Sequence, residues 1–252
     1  MTSFYPACNI LGVNVSAVSM NSAVNYINEH IKELSGNYVC VSNVHTTVMS
    51  YEDPNYLKIQ NSAALVLPDG GPLSLIGKKR GFINMERVTG PDLMTEIFKI
   101  STECGYRHFF FGSTEKTLTM LAYRLKYKYP GIQIVGTYSP TREELLNDEI
   151  EIINQINQAK ADFIWVGLGA PKQERWMGIH QGRVNGLMIG VGAGFDYHAG
   201  NIKRAPMWMQ KNNMEWLYRL WQEPKRLFAR YLKFNIKFLY LMCLKKCIKN
   251  KI

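Results

Sequence analysis

Apolar positions along the chain come in short continuous blocks rather than in alternation. Residues 38–42 (YVCVS), 64–67 (ALVL), 107–111 (RHFFF), 132–138 (IQIVGTY), 162–166 (DFIWV) and 186–191 (GLMIGV) are such blocks. Blocks of this length read as strands buried on both faces. Longer stretches lie between them. Residues 114–129 open on Ser113-Thr114 and stop before Pro130-Gly131, and residues 141–159 open on Thr141-Arg142-Glu143-Glu144, the pattern of a capping box. Strands alternating with helices predict βαβ units. The fold class expected is therefore a Rossmann-like α/β domain, with a mainly parallel sheet and helices on both faces. Residues 9–15 predict one further strand, ahead of a helix near 22–33.

In such sheets ligands bind beyond the carboxyl ends of the strands. That rule selects Asn43 and His45, Asp69, Gly112 and Ser113, the turn 167–173, and residues 192–196, which include Phe195 and Asp196. Asp69 lies in Pro68-Asp69-Gly70-Gly71-Pro72. A carboxylate held there with little water has a raised pKa and serves as a general base, although Pro-Asp-Gly is also an ordinary turn. Gly167-Leu168-Gly169-Ala170-Pro171-Lys172-Gln173-Glu174 leads from a strand into a helix. Its glycines allow close approach, its helix N-terminus favours anions, and Lys172 and Gln173 offer charge and hydrogen bonds to sugar hydroxyls. The spacing is not that of a phosphate-binding P-loop, and a plain strand-to-helix turn reads equally well. Gly190 to Gly194 resembles the start of a dinucleotide fingerprint, but no helix is expected after it, and Asp196 either holds a hydroxyl or caps a turn. Arg87 can grip a diphosphate bidentately or pair with Glu86.

Composition narrows the classes. The chain has 252 residues, 46% of them hydrophobic. That suits one sizeable domain with an appendage, divided here at 1–205 and 206–252. No apolar run approaches the roughly 20 residues that span a bilayer, and residues 1–10 lack the pattern of a signal peptide, so a cytoplasmic location is expected. Five scattered cysteines suit a reducing compartment; Cys243 and Cys247 read as small apolar residues on a helix face. The five histidines show no ligand spacing, and there is no D-x-D pair and no G-x-S-x-G, so neither a metal site nor a hydrolase triad is indicated.

Charge adds more. The net charge is +10, and from Arg219 onward ten cations stand against Glu223 alone, a surplus of nine. At about 100° per residue, Arg219, Arg226, Arg230, Lys233 and Lys237 share one stripe, with Leu217, Trp221, Phe228, Leu239 and Met242 opposite. The stretch 216–244 thus predicts a basic amphipathic helix bent near Pro224. The expectation is that 216–228 packs inward while Lys233 onward reaches an anionic membrane. Nucleic acid fits less well, because the aromatics lie opposite the basic stripe and no recognition motif occurs.

The ordered set of segments resembles the WecG/TagA/CpsF glycosyltransferases (glycosyltransferase family 26). The matching segments are Val41-Ser42-Asn43-Val44-His45, Leu67-Pro68-Asp69-Gly70, Glu86-Arg87-Val88-Thr89-Gly90-Pro91-Asp92-Leu93, Phe111-Gly112-Ser113, Tyr129-Pro130-Gly131 and the 166–174 turn. They continue with 192–196, Lys203-Arg204-Ala205-Pro206-Met207-Trp208-Met209 and Glu215-Trp216-Leu217-Tyr218-Arg219 with Gln222-Glu223-Pro224. The resemblance implies transfer of a sugar, with inversion and without a metal or other cofactor, from a UDP-sugar donor to a polyprenyl-diphosphate-linked sugar acceptor. It implies Asp69 as the base, Gln173 in sugar binding, Arg87 and Thr89 lining the pocket, and Arg219, Arg226 and Arg230, with Arg204, serving diphosphate and membrane. Around His45-Thr46 the sequence departs from the family pattern, which leaves the donor sugar open. The partners expected are these two substrates and an anionic membrane surface on the cytoplasmic side, with a homo-oligomer left open and no nucleic acid. An oxidoreductase using a nucleotide cofactor is the first rival, separated by nicotinamide-dependent turnover. A basic-arm nucleic-acid module is the second, separated by salt-dependent binding to DNA but not to liposomes.

Overall fold

The computed structural model describes residues 5–147 and 149–249; the side chains at 146, 147, 149 and 245–249 lie outside that description. Lys245, Lys246, Cys247, Lys249 and Lys251 of the tail, and residues 1–4 at the other end, are therefore outside the described residues or side chains. The strands are β1 (Ala7–Ile10), β2 (Val13–Ser16), β3 (Tyr38–Ser42), β4 (Leu65–Pro68), β5 (Arg107–Gly112), β6 (Gln133–Tyr138), β7 (Phe163–Gly167) and β8 (Leu187–Gly190). The helices are α1 (Met20–Glu29), α2 (Val44–Glu52), α3 (Pro54–Ser62), α4 (Gly71–Lys79), α5 (Gly90–Cys104), α6 (Glu115–Lys128) and α7 (Glu144–Asn147). They continue with α8 (Glu149–Gln158), α9 (Lys172–Ile179), α10 (Gly194–Ala199), α11 (Met207–Lys211), α12 (Glu215–Gln222) and α13 (Pro224–Lys249).

Strands β3 to β8 form one six-stranded sheet in the order β4-β3-β8-β7-β5-β6, with every pairing parallel. This is the Rossmann-like α/β architecture that the continuous apolar blocks predict. Successive side chains point to opposite faces, and both faces are covered. Val39, Leu67, Phe110, Trp165 and Ile189 share one core with Ile27, Phe98, Leu121 and Phe195. Cys40, Val66, Phe111, Val166 and Met188 share the other with Val48, Ile156, Met177 and Phe238. His108 belongs to the first of these cores and not to a site: it is fully buried, packs on Phe98 and Phe110, accepts a bond from Trp165 Nε1 at 3.1 Å, and burial lowers its pKa to about 3.

Several expectations change in detail. Residues 9–15 are not one strand of the sheet but part of a separate antiparallel hairpin, β1-β2. Leu11 and Gly12, at φ 52° and 101°, close a two-residue turn, the geometry whose twist suits a hairpin. The first helix spans Met20–Glu29, earlier than 22–33, because Ser19 and Ser22 make a reciprocal capping box. The Thr141/Glu144 box is present: Thr141 N donates to Glu144 Oε2 at 2.7 Å and Glu144 N to Thr141 Oγ1 at 3.2 Å. The helical residues there are 144–147 and 149–158. After β8 a short helix, α10, does follow, contrary to the reading of Gly190 to Gly194.

The tail is broken at Glu223, as Pro224 requires, but its packing differs from the expectation: in 216–228 only Leu227 is a fully buried apolar side chain. The later part docks: α13 packs on α2, with Phe238 and Leu241 buried and Phe234 edge-on to His45 at 4.3 Å. Lys237 pairs at the surface with Glu52 of α2. The earlier aromatics stay outside, Trp221 at 77% and Phe228 at 59% exposed. No described helix is long and apolar enough to cross a membrane.

Candidate active site

Asp69 follows β4 directly and is fixed by its backbone. Its N–H donates to Ser42 O of β3 at 2.7 Å, and Val88 N donates to Pro68 O at 2.8 Å, which draws the Arg87–Thr89 segment alongside. Gly70 takes φ 99°, so the chain can turn away at once into α4. At Gly71 an added Cβ would strike the Asn213 side chain, so the α11–α12 turn lies against this loop. Asn43 caps α2, its Oδ1 accepting from His45 N at 3.0 Å and Thr46 N at 3.3 Å. With the oxygen so committed, the amide nitrogen is the end left to donate to the Asp69 carboxylate. Burial is the main reason that the Asp69 pKa rises to about 6; Arg87 and the Asn43 bond oppose it, while Glu215 and Asp92 add to it.

A ring of ions surrounds that carboxylate. Arg87 binds Glu215, and the Nε of Arg204 lies 3.0 Å from the other Glu215 oxygen. Arg204 also makes a fork onto Asp92 at 2.8 and 3.2 Å. Thr89, the buried cap of α5, donates to Asp92 at 2.6 Å. Burial alone would raise the Asp92 pKa, but its bonds to Arg204 and Thr89 outweigh that and hold it below the usual carboxylate range. The Tyr197 ring lies between two guanidiniums, Arg204 at 5.3 Å and Arg219 at 5.4 Å. Arg219 and Arg226 share Glu223, at 3.1 and 2.6 Å. Arg230 faces the Tyr231 ring at 5.8 Å and pairs with no carboxylate among the described ion pairs. His45 stands beside it, and burial followed by the Arg230 charge lowers its pKa to about 4, so it is neutral at physiological pH.

The facing wall is built from glycine turns. Gln173 Oε1 accepts from Gly169 N at 3.1 Å and from Gly192 N at 3.0 Å, joining the loops after β7 and β8. Its Nε2 donates to Glu174 Oε1 at 2.8 Å. A Cβ on Gly112 would lie 2.8 Å from Gly167 C, and one on Gly167 would lie 2.6 Å from the Phe195 ring. These glycines therefore set the close approach of β5, β7 and α10. Ser113, at φ 62°, and Asp196, bonded to Asn201 Nδ2 at 3.0 Å, are half-exposed; Lys172 is exposed, and the Ala170-Pro171 bond is cis.

The profile of the glycosyl transferase WecG/TagA/CpsF family matches residues 8–252. The chain belongs to the WecG/TagA/CpsF family of glycosyltransferases. It is similar to an N-acetylglucosaminyldiphosphoundecaprenol N-acetyl-beta-D-mannosaminyltransferase of Bacillus subtilis strain 168, with 30% identity over 84% of this chain and 83% of the relative. The enzyme with the same name from Bacillus spizizenii is 30% identical over 78% and 76% of the two chains. That of Staphylococcus aureus strain MW2 is 29% identical over 87% and 86%.

Within this glycosyltransferase, Asn43, His45, Asp69, Gly70, Arg87, Thr89, Arg204, Arg219 and Arg230 are brought into one neighbourhood at the carboxyl ends of β3 and β4. Four other residues selected from sequence are turned into the protein. Thr46 is buried, its hydroxyl bonded to Ser42 Oγ at 2.9 Å and to Asn43 O at 3.0 Å. Phe195 is wholly buried against Phe110, and Glu174 is wholly buried as well. Gln173 has both ends of its amide engaged. These four lie within the walls, where Glu174 Oε2 has no hydrogen-bond partner among the described residues. Arg226 is exposed on the outer side. Sequence reasoning missed Asp92, Tyr197, Glu215 and Tyr231. Asp92 and Glu215 sit inside segments already singled out, so their motif membership was the available signal. Tyr197 and Tyr231 had none, since only the packing of α10 and α13 brings their rings to the arginines.

Proposed function

We propose that this glycosyltransferase moves N-acetylmannosamine, with inversion and without a metal, from a UDP-linked donor to the sugar of N-acetylglucosaminyldiphosphoundecaprenol during synthesis of a cell-surface polymer. The acceptor and the transferred sugar follow the names of the relatives. The observation that carries the mechanism is Asp69: a carboxyl with a pKa near 6, held by Asn43 at a strand's carboxyl end and ringed by guanidiniums.

Asp69 takes the proton of the acceptor hydroxyl as that oxygen attacks the anomeric carbon from the side opposite UDP. A base with a pKa close to the working pH is largely ionised yet still basic enough to take a proton in the transition state. Negative charge grows on the departing diphosphate, and fixed cations stabilise it best where water is scarce. Arg230, without a carboxylate among the described ion pairs, and Arg219, against the Tyr197 ring, are the cations assigned to it, with Arg87 beside them. Gln173 keeps the two glycine turns together under the donor. The exposed apolar row of α12 and α13, including Trp216, Trp221, Phe228, Leu232 and Ile236, lies on the cytoplasmic face of an anionic bilayer, with Lys225, Arg226 and Lys233 at the headgroups.

The test is mass spectrometry of a short-chain polyprenyl-diphosphate N-acetylglucosamine after incubation with a panel of UDP-sugars. A gain of one N-acetylhexosamine from the UDP-N-acetylmannosamine arm, abolished in Asp69→Asn, is expected. Transfer from a different donor alone would overturn the sugar assignment, and full activity of Asp69→Asn would overturn the base.

A further inference from the structure

Glu215 opens α12 and is nearly buried, an unusual place for a carboxylate unless it is paired. Its two oxygens are divided. One binds Arg87 and the other lies 3.0 Å from Arg204 Nε. Arg204 cannot follow Glu215 if it shifts, because its fork grips Asp92 at 2.8 and 3.2 Å. Three carboxylates (Asp69, Asp92, Glu215) thus meet two guanidiniums (Arg87, Arg204), and Asp69 is the one left without a direct ion pair among the described residues.

We propose that Glu215 is a positioning residue for the transfer reaction: by binding Arg87 it withholds that guanidinium from Asp69 and so leaves the Asp69 carboxylate free to take the acceptor's proton. The inference rests on the reading of Asp69 as the base. The charges bear it out in sign, since Arg87 and Glu215 act on Asp69 in opposite directions. The charge of Arg87 already acts on Asp69 across the site, and a bidentate Arg–carboxylate pair formed after its release from Glu215 would occupy the lone pairs that the reaction needs. Other groups act on Asp69 from each neighbouring element: Asn43, the cap of α2, Asp92 of α5, Tyr197 of α10 and Tyr231 of α13, while Arg219 and Arg230 lie beside those two tyrosines and neutral His45 beside Arg230. Arg219 is stacked on Tyr197 and bonded to Glu223, and Arg230 lies against Tyr231, so Arg87 is the cation whose partner decides the matter.

The test is a double-mutant cycle on the full chain, with Glu215→Gln, Arg87→Gln and the pair. It is read as the pH profile of kcat/KM and, without substrate, as the carbon-13 NMR titration of the Asp69 carboxyl. In Glu215→Gln the acid limb and the Asp69 titration should fall by about one to three units, the range for a carboxylate gaining a close cation. The value of kcat should fall at least about tenfold, as for loss of general base catalysis. In the Arg87→Gln background the larger part of that shift should vanish. An unmoved titration in Glu215→Gln, or an equal shift with Arg87 absent, overturns the inference. If Glu215→Gln does not melt cooperatively, Glu215→Asp asks the same question, with a shift of the same sign and smaller size expected and no shift overturning the inference. Asp69→Asn keeps the two readings apart: an active Asp69→Asn refutes the base itself, whereas an inactive one beside an unmoved Glu215→Gln profile refutes only the role of Glu215.

Discussion

Gln173→Ala separates a brace from a substrate contact. The wild-type amide accepts two backbone bonds, from Gly169 N at 3.1 Å and Gly192 N at 3.0 Å, and donates one to buried Glu174 at 2.8 Å. A neutral hydrogen bond contributes about 0.5–1.5 kcal/mol net, and one to a charged group about 1.5–3. Water can reach the two glycine amides, which are half-buried, so their loss falls at the low end. The bond to Glu174 has no such replacement, and burial has already raised that residue's pKa. The side chain also packs on β8, where a Cβ at Gly190 would lie 2.9 Å from Gln173 Nε2. A loss of about 3–4 kcal/mol is expected, which for a chain of this size lowers Tm by about 6–16 °C. Urea unfolding followed by circular dichroism measures the first quantity. Hydrogen exchange should show faster exchange at Gly169 and Gly192. If Gln173 served only as a contact for bound sugar, KM would rise while stability and exchange stayed unchanged, and that result would refute the brace.

The acid limb of the rate profile should lie near pH 6, and Asp69→Asn should remove it together with turnover. Because burial raises the Asp69 pKa in the folded state, its contribution to stability is full below about pH 4 and is lost as pH rises through about 6. Asp69→Asn should therefore be more stable than wild type at pH 8, by about 1–3 kcal/mol, with the difference shrinking toward pH 4 in urea titrations; equal stability at both pH values would show that the carboxyl is not desolvated. Gly112→Ala should lose about 2 kcal/mol or more, since φ is 105° and the new Cβ would sit 2.8 Å from Gly167 C, and an unchanged urea midpoint would contradict that packing. Trp221→Ser with Phe228→Ser should weaken sedimentation with anionic vesicles at least about tenfold while leaving Tm unchanged, because both side chains are exposed; undiminished binding would move the membrane contact elsewhere.

Much of the architecture was legible in the sequence. Fully buried parallel strands need apolar residues on both faces, so β3, β5, β7 and β8 announce themselves as continuous runs. The rule that ligands gather at strand ends then brought Asn43, Asp69 and the glycine turns onto one edge. The hairpin escaped because β1 and β2 are each four residues long and the deciding feature is two positive φ angles at Leu11 and Gly12. The tail was misjudged because a helical wheel shows which residues share a side and not which side meets the protein. Residues 216–228 were expected to pack inward and Lys233 onward to reach a membrane, yet Lys237 pairs with α2, and the row of Trp221 and Phe228 is left to solvent.

What the sequence by itself determined is the order of the elements, the parallel sheet and the position of the carboxylate at its rim, because these follow from hydrophobic periodicity and local turn chemistry. The division of labour among the polar residues was decided only by the tertiary structure. Whether Gln173 reaches a ligand or ties two loops, and whether Glu215 is a surface charge or the partner of Arg87, depends on contacts between segments far apart in the chain. Such contacts leave no local periodicity. Their strength comes from burial, which turns a pair of ordinary charges into a fixed and consequential one.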